Sequence, residues 1–480
     1  MEPIAYFILI LYFAALVFIG ALCSRKQDSL SEFFLAGRTM PAWAAMAAVV
    51  ATETSAVTFL GAPAMTFAEG GDFSFLQAAF GYIVARIILA LYFLPKFFER
   101  EIVTIYEFIG LRFGKRAQKT TGLFFFVTRS LAAGVRHFAA ALVISVILKI
   151  DLTSAIIVTG IVSLIYSYMG GISAVIWTEV LQLVVMIAGG IVAFFYLLHL
   201  VPGGWSQIIA AGVANHKFTF IHWDWNPSGN YSLFIGVLWG TCLSLSSHGA
   251  DQDIVQRLLA CRNLRSAQTA IVGSGIFVFF QFLFFLFIGV MLFAFYGTLP
   301  PDLENANQLL PYFSVKNMRP EASALVIAAI LSAALSSTAS ALNSLSSTSV
   351  NDFILAWRSK QLDSAQLVRI SRIFTLIWTV ILIVIAILAS GSQNILETGL
   401  SIPSYTSGSL LAAFLLGIFT PLRQQNAIIS GMFGGLIVVL FLSYCGYPFT
   451  WFIPAGTAAA ILTAYGVEWV MNQRHTSEVK

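Results

Sequence analysis

The chain has 480 residues, of which 58% are hydrophobic and only 10% charged, against about 25% charged in an ordinary soluble protein. This composition describes a polytopic membrane protein, so the formal charge of +4 carries no message about nucleic acid and only the placement of Lys and Arg is informative. Cys23, Cys242, Cys261 and Cys445 show no CxxC spacing and no pairing logic, so neither a disulfide framework nor a cysteine metal site is expected.

Apolar runs of about 18 residues or more, allowing breaks at Gly and Pro, predict about 13 transmembrane helices. They fall at 4–23, 43–68, 75–98, 121–149, 152–169, 174–200, 230–248, 269–297, 320–349, 367–390, 394–419, 425–445 and 449–471. The first lacks a basic leader and a small-residue cleavage site, which predicts a retained helix and not a signal peptide. Arg25, Lys26 and Arg38 lie in the first loop, and Lys96, Arg100, Arg112, Lys115, Arg116 and Lys119 in the third. Arg257, Arg262 and Arg265 follow in the seventh, Arg358 and Lys360 in the ninth, Arg423 in the eleventh, and Arg474 and Lys480 in the tail. The opposite loops hold only Lys149, Lys217, Lys316 and Arg319. The odd loops are therefore expected in the cytoplasm, with the N-terminus outside and the C-terminus inside. Residues 95–120 and 249–266 read either as short cytoplasmic helices or as solvated connectors. The outward loops 201–229 and 298–319, with Trp205, Trp223 and Trp225, either cap a vestibule or belong to the interfacial aromatic belt.

Two helices contradict their apolar surroundings. The second gathers Thr52, Glu53, Thr54, Ser55 and Thr58 at its centre, followed by Gly61 and Pro63. A carboxylate among hydroxyls at mid-membrane points to a broken helix lining a polar cavity, the bland alternative being one odd helix with a satisfied Glu. The ninth is dense in hydroxyls, with Ser336, Ser337 and Ser340 spaced to converge on one side. Small residues there also suit close helix packing. Neutral hard oxygens, completed by carbonyls from a broken helix, suit Na⁺. Inverted repeats over helices 2–6 and 7–11 would bring the two together. Gly399 to Gly408, with Pro403, would break or bend the eleventh helix near its start.

Together these residues resemble the sodium/solute symporter family, whose members carry sugars, proline, iodide, vitamins and sialic acids with sodium. The most specific pieces are Tyr168-Met-Gly-Gly-Ile-Ser-Ala-Val-Ile-Trp-Thr-Glu179-Val-Leu-Gln182, Asp251-Gln-Asp-Ile-Val-Gln-Arg257, and Ala333-Ala-Leu-Ser336-Ser337 through Asn343-Ser344. The resemblance implies an all-α membrane protein with a LeuT-like core of two inverted five-helix repeats. Residues 1–42 would be peripheral, 43–200 and 230–419 the two repeats, and 420–480 two further peripheral helices and a tail, all in one transporter domain in the cytoplasmic membrane. It implies Na⁺ ligands at the carbonyls of Ala51, Thr54 and Ala333 and the hydroxyls of Ser336 and Ser337, with a possible second Na⁺ site at Glu179 and Ser340. The segment 51–63 is similar to the sialic-acid branch, which implies substrate-facing positions at Glu53, Ser55 and Thr58. It departs from that branch at Glu53, where the branch has a neutral hydroxyl residue, and from the family at Glu179, where Asp is usual.

The intramembrane charges Arg86, Arg129, Arg136, Glu53 and Glu179 leave one positive charge in excess, which an anionic solute would compensate. Depth along the helices places Arg129 near Glu179 and Arg136 near Glu53, while Arg86 would satisfy neighbouring carbonyls and His137 would be a hydrogen-bonded core residue. Arg136 and Gln77 complete the expected substrate-facing set. The expected function is sodium-coupled uptake of a small polar organic solute, possibly carboxylate-bearing, by alternating access, with the solute and the bilayer as partners, no nucleic acid, and no protein partner inferable from the sequence. A proton-coupled symporter and, further off, a membrane solute sensor are the alternatives. No HExxH, GxSxG or clustered His/Cys set supports an enzyme.

Overall fold

The computed structural model describes residues 3–23, 29–148, 150–223, 232–303, 305–355, 363–389 and 395–478. Arg25, Lys26, Lys149, Arg358, Lys360, Lys480 and Trp225, weighed above, lie outside the described residues. Helices α1 (Pro3–Cys23) and α2 (Leu30–Leu35) open the chain. The second apolar stretch forms α3 (Ala42–Glu53) and α4 (Ala56–Phe67), bent by 59° at Thr54 and Ser55. Then come α5 (Phe75–Glu99), α6 (Ile105–Phe113), α7 (Lys115–Leu148), the 49-residue α8 (Leu152–Leu200) and the short α9 (Gly204–Ala214). A second bent pair follows, α10 (Leu233–Gly249) and α11 (Gln252–Leu259), at 61°. The chain ends with α12 (Leu264–Tyr296), α13 (Leu309–Asn317), α14 (Pro320–Ile354), α15 (Ser364–Ala389), α16 (Ile395–Phe419), α17 (Gln425–Tyr444) and α18 (Phe452–Glu478).

Every predicted apolar stretch is helical, but among the described residues nine helices are long and apolar enough to span a bilayer, or 11 if each bent pair is one span. The predicted fifth and sixth helices run together as α8, broken only at Gly171, whose φ of 54° and ψ of −149° lie in territory that only glycine occupies at low cost. A Cβ there would also sit 2.4 Å from the Phe33 carbonyl oxygen, so α2 packs directly on this break. Of the break or bend expected near the start of the eleventh helix, no gap is present among the described residues: α16 continues through Pro403. The stretch 249–266, expected as either a short cytoplasmic helix or a solvated connector, supplies α11, the second half of a bent span. Helix α6, in the other stretch with these two readings, is helical and buries Ile105, Tyr106 and Ile109.

Helix α14 is the axis of the molecule, with 94% of its most apolar 18-residue window buried. Its Ala and Ser side chains add little bulk, so neighbouring backbones approach closely, as membrane helices must when burial from water is not what drives them together. Phe7, Ile10, Leu388, Phe441 and Leu462 stand exposed on the outer helices, where hydrocarbon takes the place of a packing partner.

Candidate functional site

The break between α3 and α4 frees backbone oxygen at the centre of the molecule. In an unbroken helix the Ala51 carbonyl would accept from the Ser55 N–H, but Ser55 turns to the Glu53 carbonyl at 2.9 Å. The released Ala51 oxygen is met by the Ser336 hydroxyl at 3.0 Å, which also lies 3.3 Å from the Ala333 carbonyl. Three of the five expected sodium groups are thus brought together. The Ser337 hydroxyl is beside them on the same turn, 3.1 Å from the Ala334 carbonyl. The Thr54 hydroxyl turns away to Val50 and to Gln281 of α12, at 2.7 and 3.1 Å, while its carbonyl belongs to the break itself. These donors are neutral hard oxygens, a set that fits a monovalent hard cation.

Beside the break lies a cavity of about 460 Å³ lined by Glu53, Ser55, Thr58 and Arg136, four of the five expected substrate positions. Gln77 is the exception. It is buried against the 219–223 segment, where its Oε1 accepts from the His222 N–H at 3.3 Å, and it is not part of the cavity wall. Glu53 is ion-paired with Arg86, not Arg136. Arg86, fully buried, also donates to the Ser274 hydroxyl at 2.8 Å, and His248 Nε2 stands 3.5 Å from Glu53. Among the described residues Arg136 makes no hydrogen bond or ion pair; its charged neighbours are Arg129 and Asp251.

Glu179 is likewise not the partner of Arg129. Arg257 grips it as a fork, Nε to Oε2 at 2.9 Å and Nη2 to Oε1 at 2.6 Å, and Thr52 adds a hydroxyl at 2.8 Å. Arg257 Nη2 also donates to Ser340 at 2.6 Å, and Ser340 donates to Asp253, which is ion-paired with Arg129. Depth along a helix could not predict these pairs because it says nothing about rotation around the axis. The charge count changes too. Around the cavity and the α11 cluster, with Asp251, Asp253 and Arg257 counted, four guanidiniums (Arg86, Arg129, Arg136, Arg257) face four carboxylates (Glu53, Glu179, Asp251, Asp253), so the excess positive charge disappears there. His137 is a hydrogen-bonded core residue, 2.8 Å from the Ile156 carbonyl and 2.9 Å from the Thr159 hydroxyl.

A broken second span, oxygen-lined against a serine-rich ninth, is the arrangement the motifs implied, and comparison with known proteins decides the family. The sequence profile of the sodium:solute symporter family matches residues 33–435. The chain belongs to the sodium:solute symporter family. This symporter is 28% identical to the sodium/sialic acid symporter NanT of Aliivibrio fischeri, over 96% of its own length and 92% of the relative's. It is also 28% identical to the sodium-coupled monocarboxylate transporter 1 of Mus musculus, over 96% and 77% of the two chains. The solved structure of a Na⁺-coupled sialic acid symporter, substrate-bound and outward-open, superposes with a TM-score of 0.89 at 25% identity, covering 96% of this chain and 97% of that one. The symporter is therefore a LeuT-like, all-helical, sodium-coupled membrane transporter of a small polar organic solute, and not an enzyme.

The sequence does not mark every interior polar residue. The run Asp251 to Arg257 carries the family resemblance, but because the apolar run stops at His248 its position alone does not place Asp251, Asp253 and Arg257 inside the protein. The signal that could have found them is the i, i+4 pair Asp253 and Arg257 directly after Gly249, a break followed by a charged half-helix. His248, Gln281 and Asn307 carry no pattern beyond their residue type. Asn307 reaches the cavity from the 298–319 loop, so that loop does contribute to the cavity wall.

Proposed function

We propose that this symporter takes up a carboxylate-bearing solute with Na⁺, and that Arg136 holds the carboxylate. The observation that carries this reading is Arg136 itself: of the four interior guanidiniums it alone has no carboxylate in contact, and it lines the cavity. A guanidinium offers a carboxylate two parallel hydrogen bonds, a geometry lysine cannot match. The relatives named for sialic acid and for monocarboxylates both act on carboxylates. In this reading Glu53, Ser55 and Thr58 meet the polar remainder of the solute.

Na⁺ binds to the carbonyls of Ala51, Thr54 and Ala333 and the hydroxyls of Ser336 and Ser337, holding the broken α3–α4 span against α14 and completing the solute cavity. By linkage, solute then tightens Na⁺ as much as Na⁺ tightens solute. The two bent spans, at 59° and 61°, stand five helices apart, each opening a five-helix unit, which supports inverted repeats over 43–200 and 230–419. The distribution of Lys and Arg supports an outside N-terminus and a cytoplasmic C-terminus. The test is uptake into proteoliposomes of N-acetylneuraminate and of pyruvate, with and without an inward Na⁺ gradient at fixed pH. Na⁺-driven uptake of at least one is expected, with Arg136→Lys raising its Kd more than tenfold while Na⁺ binding persists. Na⁺-driven uptake of neutral solutes alone, or an unchanged Kd in Arg136→Lys, would overturn it.

A further inference from the structure

The family resemblance raises a second sodium position at Glu179 and Ser340, and the residues present do not fit one. We infer that this protein binds a single Na⁺ per cycle, because the guanidinium of Arg257 already occupies the place where a second cation would sit. The inference rests on the proposed first sodium site only for the count of one. All five N–H groups of Arg257 have nearby oxygens: Glu179 takes Nε and one Nη2 hydrogen, Ser340 the other, and Nη1 faces the carbonyl and, at 3.7 Å, the carboxylate of Asp253. Glu179 has in addition the Thr52 hydroxyl on Oε1, and Ser340 spends its proton on Asp253. Arg257, Glu179 and Ser340 are each no more than 1% exposed, so solvent does not loosen these contacts.

Electrostatics points the same way. Before solute binds, the cluster of Glu179, Asp251 and Asp253 with Arg129, Arg136 and Arg257 sums to zero, and a further cation on the solute-free protein would leave it with a buried positive charge. An ion on either Glu179 oxygen would lie within roughly 4–5 Å of the guanidinium, where like charges at an effective dielectric of about 20 repel enough to weaken binding on the order of a thousandfold. The longer Glu in place of the family's usual Asp reaches this guanidinium with both oxygens. Arg257 is thus a positioning residue, a cation tethered to the chain that ties α8 to α14 without entering or leaving.

The number of ions can be read from Na⁺ alone, as the dependence of unfolding stability on log[Na⁺] in the purified full-length chain, with choline chloride holding ionic strength constant. The native chain is expected to bind one Na⁺, and Glu179→Gln to leave that count at one. Arg257→Met should create a second site, doubling the limiting slope, and Arg257→Met with Glu179→Gln should return it to one. A native count of two overturns the inference, as does a folded Arg257→Met that still binds one ion alongside a native count of one. If Arg257→Met fails to fold, the native chain and Glu179→Gln decide alone: one ion in both supports the inference, while two in the native chain refutes it. Failure of the first site reads differently. A native chain with no response sinks that site, and this inference then predicts one ion in Arg257→Met, which the double variant loses.

Discussion

Replacing Glu53 by Gln should be among the most damaging neutral substitutions in the protein, through Arg86. The Arg86 side chain is fully buried and its ion pair with Glu53 is the only compensation it has among the described acidic residues. Its other contacts, the Ser274 and Ser244 hydroxyls, are neutral. Removing one partner of a buried pair costs about 3–5 kcal/mol, whereas removing both is often close to neutral. Glu53 keeps 19% of its side chain exposed to the cavity, and Gln retains a carbonyl that can accept from Arg86, so the lower end, about 3 kcal/mol, is expected. Equilibrium unfolding in mixed micelles should therefore show Glu53→Gln with Arg86→Met recovering most of the loss, a coupling of about 2–3 kcal/mol. Glu53→Gln with Arg136→Met should be additive, because Arg136 makes no ion pair with Glu53. Rescue by Arg136→Met and not by Arg86→Met would refute the pairing and the electrostatic reasoning built on it.

Ser336→Ala with Ser337→Ala should weaken Na⁺ more than tenfold, each hydroxyl being a contact to a charged group of about 1.5–3 kcal/mol, and unchanged Na⁺ dependence in a folded double variant would remove that site. Gly171→Ala should lower the thermal midpoint sharply, from about 1–3 kcal/mol of backbone strain plus the collision with Phe33; a native midpoint would show that the break is not under the constraint described. Outside the membrane, hydrogen bonds from Lys316 and Tyr312 hold the Asp302 carboxyl below its usual range. Its contribution is present above the unfolded value, about 3.9, and fades as pH falls through the lower folded one. Asp302→Asn should therefore lack the part of the acid-dependent fall in midpoint that the native chain shows below about pH 4, and identical acid profiles would argue against a working Asp302–Lys316 pair.

The fold was legible because the bilayer enforces it: long apolar runs must be helical, and Thr52 to Thr58 cannot cross hydrocarbon as ordinary helix. Ser336 meets Ala51 as the family resemblance implied, and a hydroxyl and a freed carbonyl are complementary without any choice of partner. Charged pairs were another matter. Arg86, Arg129 and Arg257 each had several carboxylates within reach in sequence terms, and which one each takes depends on helix rotation and on α11 folding inward, neither of which a hydropathy pattern encodes. Gln77 likewise takes its partner from rotation about its helix, its side chain meeting the His222 N–H.

Met40, two residues before α3, and the residues after α11 are joined by backbone: the Met40 N–H donates to the Ala260 carbonyl at 3.0 Å and the Arg262 N–H to the Met40 carbonyl at 3.3 Å, with the Gln256 side chain reaching the Phe34 carbonyl at 2.9 Å. The two interrupted spans are therefore stapled end to end by main chain, which no side-chain replacement can undo. The expectation is that they travel as one lever during transport, bending at Thr54–Ser55 and Ala250–Asp251, where each span is already broken. In deuterated solvent the amides of Met40 and Arg262 would then keep their protons together, and at similar rates whether the cavity opens to one side of the membrane or the other.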